Sequence, residues 1–317
     1  MKTVVSMGVH ILDILGRHVS EIPPGQNIAL LDEIRITAAG TAAGTSVDMA
    51  KLGCKVIAVG AVGDDEMGNI LLGIMNRYGI DTSHMKRKKG TQTSGTMLPI
   101  RPNGERPGLH VMGTNAIFSF EDVPQDLVRS ADFVHVGGFS LMPKFDGEDT
   151  VKTLKLAREG KAITTMDILG IKQDKMAEKI LPAMPYLDYF MPNLEEAQMI
   201  TGLSDLDELC DYFLEAGAKN VVLKMGDRGS LIKNQAGLRL RVPAFKVEVV
   251  DTTGCGDAWT GGLIAGFSRG MEIEEAAKLA SACGSLVATG LGSDAGIVDF
   301  DSTMEFARTN PTLPLKD

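Results

Sequence analysis

Residues 249–262 read VVDTTGCGDAWTGG, an apolar run that passes through Asp251, Gly254 and Gly256 into a segment of helical character carrying Asp257. Two chemistries suit such a junction. Spaced glycines after a strand can cradle a dinucleotide; alternatively, first-turn amides can neutralise a phosphoryl group while an aspartate accepts a proton from the attacking hydroxyl. From Gly254 the spacing is G-x-G-x-x-x-x-G, off the G-x-G-x-x-G of dinucleotide folds, and the unit follows the alternating strands instead of opening them. The phosphoryl reading explains more of the residues: glycines let a phosphate approach unpaired amides at the positive end of the helix dipole, and Asp257 sits in the same turn. An acidic first turn that serves only the dipole remains a competing explanation at this point.

Other stretches carry residues of similar promise. PNLEEAQ places Asn193 and Glu196 three apart at a helix start, the spacing of a capping box and also of a pair facing one site. LKMGDRGS, with Lys224, Gly226 and Gly229, reads as a strand ending in a tight turn. Gly137, Gly138 and Asp167 fall at the carboxyl ends of strand-like runs, where open α/β sheets bind ligands. Asp13 lies just past the first strand among apolar neighbours, and AAGTAAG at 38–44 precedes a helical pattern.

The elements that must position these residues alternate. TVVSMG, KVIAVGAVG, DFVHVGG, AITTMDI, LDYFMPN and NVVLKMG are nearly continuous in apolar residues, as parallel strands buried on both faces are. Between them, TSVDMAKLG, EDTVKTLKLAREG and LDELCDYFLEAG have helical period and stop at glycine. The fold expected is a doubly wound, mostly parallel α/β sheet flanked by helices. Residues from about 19 to 38 and from about 93 to 117 hold strand-like pieces without an intervening helix, with a PNGE turn signal, and suggest a small antiparallel β flap. With 317 residues, one large domain with an elaboration is expected.

Composition narrows the partners. Lys and Arg total 32 against 41 Asp and Glu, a formal charge of -9, which excludes a general nucleic-acid or anionic-membrane binder and leaves a phosphorylated ligand to be gripped locally. The cysteines Cys54, Cys210, Cys255 and Cys283 form no CxxC pair and no metal spacing with the five histidines, and a reducing cytoplasm fits. The apolar opening has only Lys2 as a positive region and is interrupted by His10 and Asp13, so it reads as a strand and not as a signal peptide.

DTTGCGDAWTGG closely resembles the C-terminal signature of the ribokinase-like (PfkB) carbohydrate kinases, usually D-T-x-G-A-G-D. The order of an early Asp13, AAGTAAGTSVDMAKLG, VGAVGDDEMG, MPNLEEA and KMGDRGS agrees along nearly the whole chain. The resemblance implies an ATP-dependent kinase acting on a hydroxyl of a sugar or related polyhydroxylated metabolite, with Asp257 as base and Gly254, Cys255 and Gly256 as the anion hole. Cys255 departs from the usual small residue, but a backbone amide is independent of its side chain. By the same resemblance Asn193 and Glu196 organise Mg²⁺, the glutamate indirectly, and Lys224, Gly226 and Gly229 border the nucleotide. Asp13, Ala39, Gly40, Gly44 and Gly138 would contact the acceptor. Asp251, Thr253, Ala288, Leu291 and Ser293 match the stretch that holds a monovalent cation, K⁺, although an ordinary helix stop at Gly290 explains the last of these equally.

Gly44 stands where the family's G-G-x-x-x-N has asparagine, and Ala39 replaces the first glycine. Losing an amide partner disfavours ribose and favours a bulkier or differently hydroxylated acceptor, a nucleoside included. Similar proteins dimerise through the flap, so a homodimer is implied. The rival classes are a sugar- or nucleotide-binding homologue that has lost catalysis, supported by the altered AAGTAAG motif, and a nicotinamide enzyme.

Overall fold

A computed structural model describes residues 2–103, 105–170 and 175–315. Its strands are β1 (Thr3–Gly8), β2 (Ile11–Arg17), β3 (Glu33–Ala39), β4 (Lys55–Gly63), β5 (Asp81–Lys88), β6 (Gly95–Ile100), β7 (Leu109–Val111), β8 (Phe133–Phe139), β9 (Ile163–Ile168), β10 (Tyr189–Phe190), β11 (Asn220–Lys224), β12 (Ser230–Asn234) and β13 (Arg239–Val242). Nine form one sheet in the order β13-β12-β11-β10-β9-β8-β1-β4-β5, parallel from β5 to β11 and antiparallel at β12 and β13.

Both faces of this sheet are covered, and the strand period shows it. On β1, Val5 and Met7 belong to one core with Val134, Val136, Phe190 and Phe213. Val4, next to Val5, points into the opposite core with Val47, Ala58 and Ile264. On β11, Val221 and Leu223 share the first core while Val222 packs with Trp259 and Leu263 on the other side. A strand that alternates between two dry layers favours apolar residues on both faces, which is why these strands read as nearly continuous hydrophobic runs, with buried polar exceptions such as Ser6 and His135.

The remaining four strands make a separate small sheet in the order β3-β2-β6-β7. Two of its three pairings are antiparallel, and the central β2–β6 pair is parallel. Its boundaries differ from the expectation at one end. The apolar opening of the chain is two strands in two sheets, split at Gly8, whose φ of +131° favours glycine. Asp13 therefore lies inside β2, opposite Thr96 of β6. Residues 19–32 contain no strand, and Ile28 and Leu30 there are 88% and 93% exposed. Gly104 of the PNGE signal lies outside the described residues, but Arg101 N donates to Glu105 O at 2.8 Å across that turn. Among the described residues no helix is long and apolar enough to cross a membrane.

Candidate active site

The helix Cys255–Ser268 begins at Gly254, whose φ of +77° is left-handed and whose place no side chain caps. A Cβ on Gly254 would lie 2.4 Å from Ser293 Cβ, so only glycine brings the turn this close to the loop behind it. A second helix, Thr41–Lys51, starts at Gly40, again with positive φ and no side-chain cap. A third, Leu194–Thr201, starts at Asn193. All three starts border a cavity of about 490 Å³ between the carboxyl ends of the parallel strands and the inner face of the small sheet. Ile168, Asn193 and Lys224 line it from the large sheet's side; Asp13, Thr96, Leu98, Arg106 and His110 line it from the small sheet. Gly254, Gly256 and Asp257 lie on its wall, with Ala39, Gly40, Thr41, Glu196, Thr253 and Ser293.

A second cavity of about 360 Å³ adjoins the first, and Asn193, Lys224 and Gly256 belong to both. Gly226, Gly229, Cys255 and Ala288 line the second cavity, whose apolar wall includes Phe245, Val247, Val249, Trp259 and Leu313. One cavity is rich in carboxyl, hydroxyl and cationic groups and the other is mainly apolar, and they meet at the helix tip. That partition suits a polyhydroxylated molecule on one side and a heterocyclic base with its phosphates reaching the seam on the other.

Electrostatics at the seam are dominated by carboxyl groups. Burial pushes Asp257 up to about 7; Asp167, Glu196 and Asp13 add to the rise, and Lys224 opposes it. Burial likewise raises Glu196 to about 7, against the pull of Lys224 and the bond from Asn193, and raises Asp13 to about 6. A carboxyl poised near neutrality is tuned for taking a proton from an alcohol at physiological pH. Burial lifts the Cys255 thiol to about 12, which removes it as a nucleophile. Lys224 Nζ lies 3.4 Å from Gly256 O and 4.0 Å from Asp167 Oδ2, held between the Gly254–Gly256 turn and the acidic cluster.

Asn193 and Glu196 form a complete capping box: Asn193 Oδ1 accepts from Glu196 N, and Glu196 Oε2 from Asn193 N, each at 2.8 Å. Capping uses one carboxylate oxygen and holds the side chain at the cavity. The capping and site-facing readings of N-x-x-E are thus compatible in one residue pair. Asp13 Oδ1, Thr41 Oγ1 and Asp167 Oδ2 are buried without a protein hydrogen-bond partner, and Asp13 and Thr41 line the cavity. Buried polar atoms are rarely left so, and these fit a hydroxylated ligand.

Two expected acceptor contacts are not on the cavity wall. Gly44 faces the Asp257 carboxylate: a Cβ there would lie 3.0 Å from Asp257 Oδ2. Gly138, with φ +88°, donates its amide to Asp167 Oδ1 at 3.1 Å, and its missing side chain makes room for Thr41 and Val9. Both glycines position the groups that border the cavity. Thr41, Thr96 and the apolar wall at 245–249 and Leu313 escaped the sequence reading; Thr41 alone had a signal, as the first residue after the Gly40 helix start.

Asp251, Thr253, Ala288, Leu291 and Ser293 do converge, on two packed loops behind Gly254. Asp251 N donates to Ala288 O at 3.3 Å, and Gly292 N donates to Asp251 Oδ2 at 2.9 Å.

Comparison with known proteins places this architecture. A rice (Oryza sativa subsp. japonica) fructokinase-1 is 26% identical over 92% of this chain and 93% of its own length. The 2-dehydro-3-deoxygluconokinase of Bacillus subtilis is 25% identical over 88% and 89%. An Arabidopsis thaliana ribokinase structure, complexed with ribose and ATP, superposes with a TM-score of 0.82 at 21% identity over 97% of this chain and 98% of that one. The model of the pfkB family of carbohydrate kinases matches residues 1–299, and the chain belongs to that family.

Proposed function

We propose that this chain transfers the terminal phosphate of ATP to a hydroxyl of a sugar, the nucleotide in the apolar cavity and the acceptor in the polar one. The carrying observation is that the two cavities meet at the uncapped helix tip with Asp257 on the acceptor side. Asp257 takes the acceptor proton as its oxygen attacks, while the amides of the Gly254–Gly256 turn and the Lys224 ammonium offset charge on the phosphates. Asp13 and Thr41 supply unpartnered oxygens for acceptor hydroxyls, and Gly226 and Gly229 give the nucleotide a close backbone.

Asp167, Glu196 and Asp257 face the ammonium of Lys224, and Asp13 faces Arg106, a balance short of positive charge that Mg²⁺ arriving with the nucleotide would correct. No cluster of three or more metal-ligating side chains exists among the described residues, which suits a metal carried in by phosphate oxygens. Asn193 and Glu196 would hold Mg²⁺ in place, the glutamate indirectly, and the ion would supply positive charge to offset that of the phosphates.

With Gly44 turned to Asp257, the absent asparagine amide leaves the acceptor cavity without that donor. This favours acceptors other than ribose. The small sheet exposes Ile34, Ile36, Met97, Leu109 and Val111, an apolar face that a second copy would cover in a homodimer. The four cysteines are all free, in keeping with a cytoplasmic setting. A coupled assay of MgATP turnover across hexoses, sugar acids, pentoses and nucleosides tests the reading; an absence of acceptor-dependent ADP release with every class would refute it.

A further inference from the structure

The two loops behind the anion-binding turn are the place where the resemblance puts a monovalent cation. A cage for K⁺ needs several oxygens turning free lone pairs on one point in place of water. Here the Ala288 carbonyl and both oxygens of the Asp251 carboxylate already accept protein hydrogen bonds. Ala288 O accepts from the amides of Val250 at 2.8 Å and Asp251 at 3.3 Å. Asp251 Oδ1 accepts from Thr253 N at 3.0 Å and its hydroxyl at 2.7 Å, and Oδ2 from Gly292 N at 2.9 Å.

Leu291 O faces a cation that belongs to the chain. Arg35 Nη1 donates to it at 2.6 Å, and Arg35 Nη2 donates to Asp294 Oδ1 at 2.8 Å. This fork ties β3 of the small sheet to the loop that packs against Gly254, where Ser293 also donates its hydroxyl to Ala38 O at 3.0 Å. Lys51 donates to Asp294 O, and the Tyr78 hydroxyl donates to Asp294 Oδ2 at 2.8 Å. A K⁺ at Leu291 O would lie against the Arg35 guanidinium and be repelled. A planar, permanently charged fork holds a carbonyl and a carboxylate at once, and so fixes the loop as an ion would.

We propose that Arg35 takes within this chain the loop-ordering part that the resemblance assigns to K⁺, so that the Gly254–Gly256 turn is organised without a monovalent cation. The inference rests on the kinase reading of that turn, but its first test does not need turnover or nucleotide. The full-length protein is melted in KCl and in tetramethylammonium chloride at equal ionic strength, and MgATP affinity is measured in both. The wild type should give the same Tm in both salts and MgATP dissociation constants within about twofold. Arg35→Ala, which frees Leu291 O and Asp294 Oδ1, should melt lower in tetramethylammonium and be restored by K⁺. Arg35→Lys, which keeps a charge, should stay insensitive to the salt.

A K⁺-specific rise in the Tm of the wild type, or MgATP binding more than about fivefold tighter in K⁺, would overturn the proposal. So would an Arg35→Ala protein that is folded and unresponsive to K⁺. If Arg35→Ala does not fold, the wild type and Arg35→Lys still decide. Failure to bind MgATP in either salt would count against the kinase reading, and the melting comparison would decide this one separately.

Discussion

Gly44 and Asp257 face each other across the Thr41–Lys51 and Cys255–Ser268 helices, so closely that a Cβ on Gly44 would stand 3.0 Å from Asp257 Oδ2. The glycine is inside a helix, where alanine is intrinsically better by about 0.5–1 kcal/mol. Gly44→Ala should therefore leave the Tm unchanged or higher while displacing the carboxylate and lowering kcat about three- to tenfold. An unchanged kcat would mean that the carboxylate's exact position is unimportant.

Activity should follow the ionisation of Asp257. A base works only when unprotonated, and burial together with the surrounding carboxylates sets this one at about 7. In the free enzyme kcat/KM should climb with pH through about 7 and level off above it. A profile flat from pH 5 to 8, roughly the span over which such a group titrates, would contradict that assignment.

Lys224 is the cation that holds Asp257 down. Lys224→Met should shift the ascending limb of the kcat/KM profile to higher pH and lower kcat by about ten- to hundredfold through loss of charge at the phosphates. A purely structural lysine would leave the limb where it was.

Stability should run the opposite way with pH. Asp13, Glu196 and Asp257 hold their protons in the fold to about 6, 7 and 7, above the values of an unfolded chain. Between the unfolded and folded values the native state binds more protons than the unfolded one, so stability falls as pH rises through that window. Burial lowers His10 and His135 and opposes this trend below their ordinary 6.5, so the Tm of the ligand-free protein should decline from about pH 6.5 to pH 8, by roughly a few degrees, and decline less in Asp257→Asn. A Tm that rises over this range would show that the acidic cluster is ionised without penalty.

Much of this arrangement was legible in the sequence because it depends on local grammar. Gly254, Gly256 and Asp257 occupy one helical turn, and the centres of parallel strands such as β4 and β11 are apolar on both faces because they face two cores. Elsewhere the same local pattern misleads. Residues 3–17 form one apolar run in sequence but two strands in different sheets, since only the backbone angle at Gly8 marks the break. Ile28 and Leu30 suggest a strand, yet nothing pairs with them in the chain. Gly44 and Gly138 were expected at the acceptor, whereas each makes room for a neighbouring side chain, a relation between distant segments that spacing does not encode. The wall of the apolar cavity, from Phe245 to Leu313, is assembled by folding alone.

The role of Asp257 is tested most directly by single-turnover phosphoryl transfer in Asp257→Asn, with MgATP affinity measured on the same protein. The amide keeps the shape and loses the proton acceptor, so the transfer rate should fall by roughly two to four orders of magnitude while nucleotide affinity stays within about twofold. A transfer rate within about threefold of the wild type would show that some other group takes the proton.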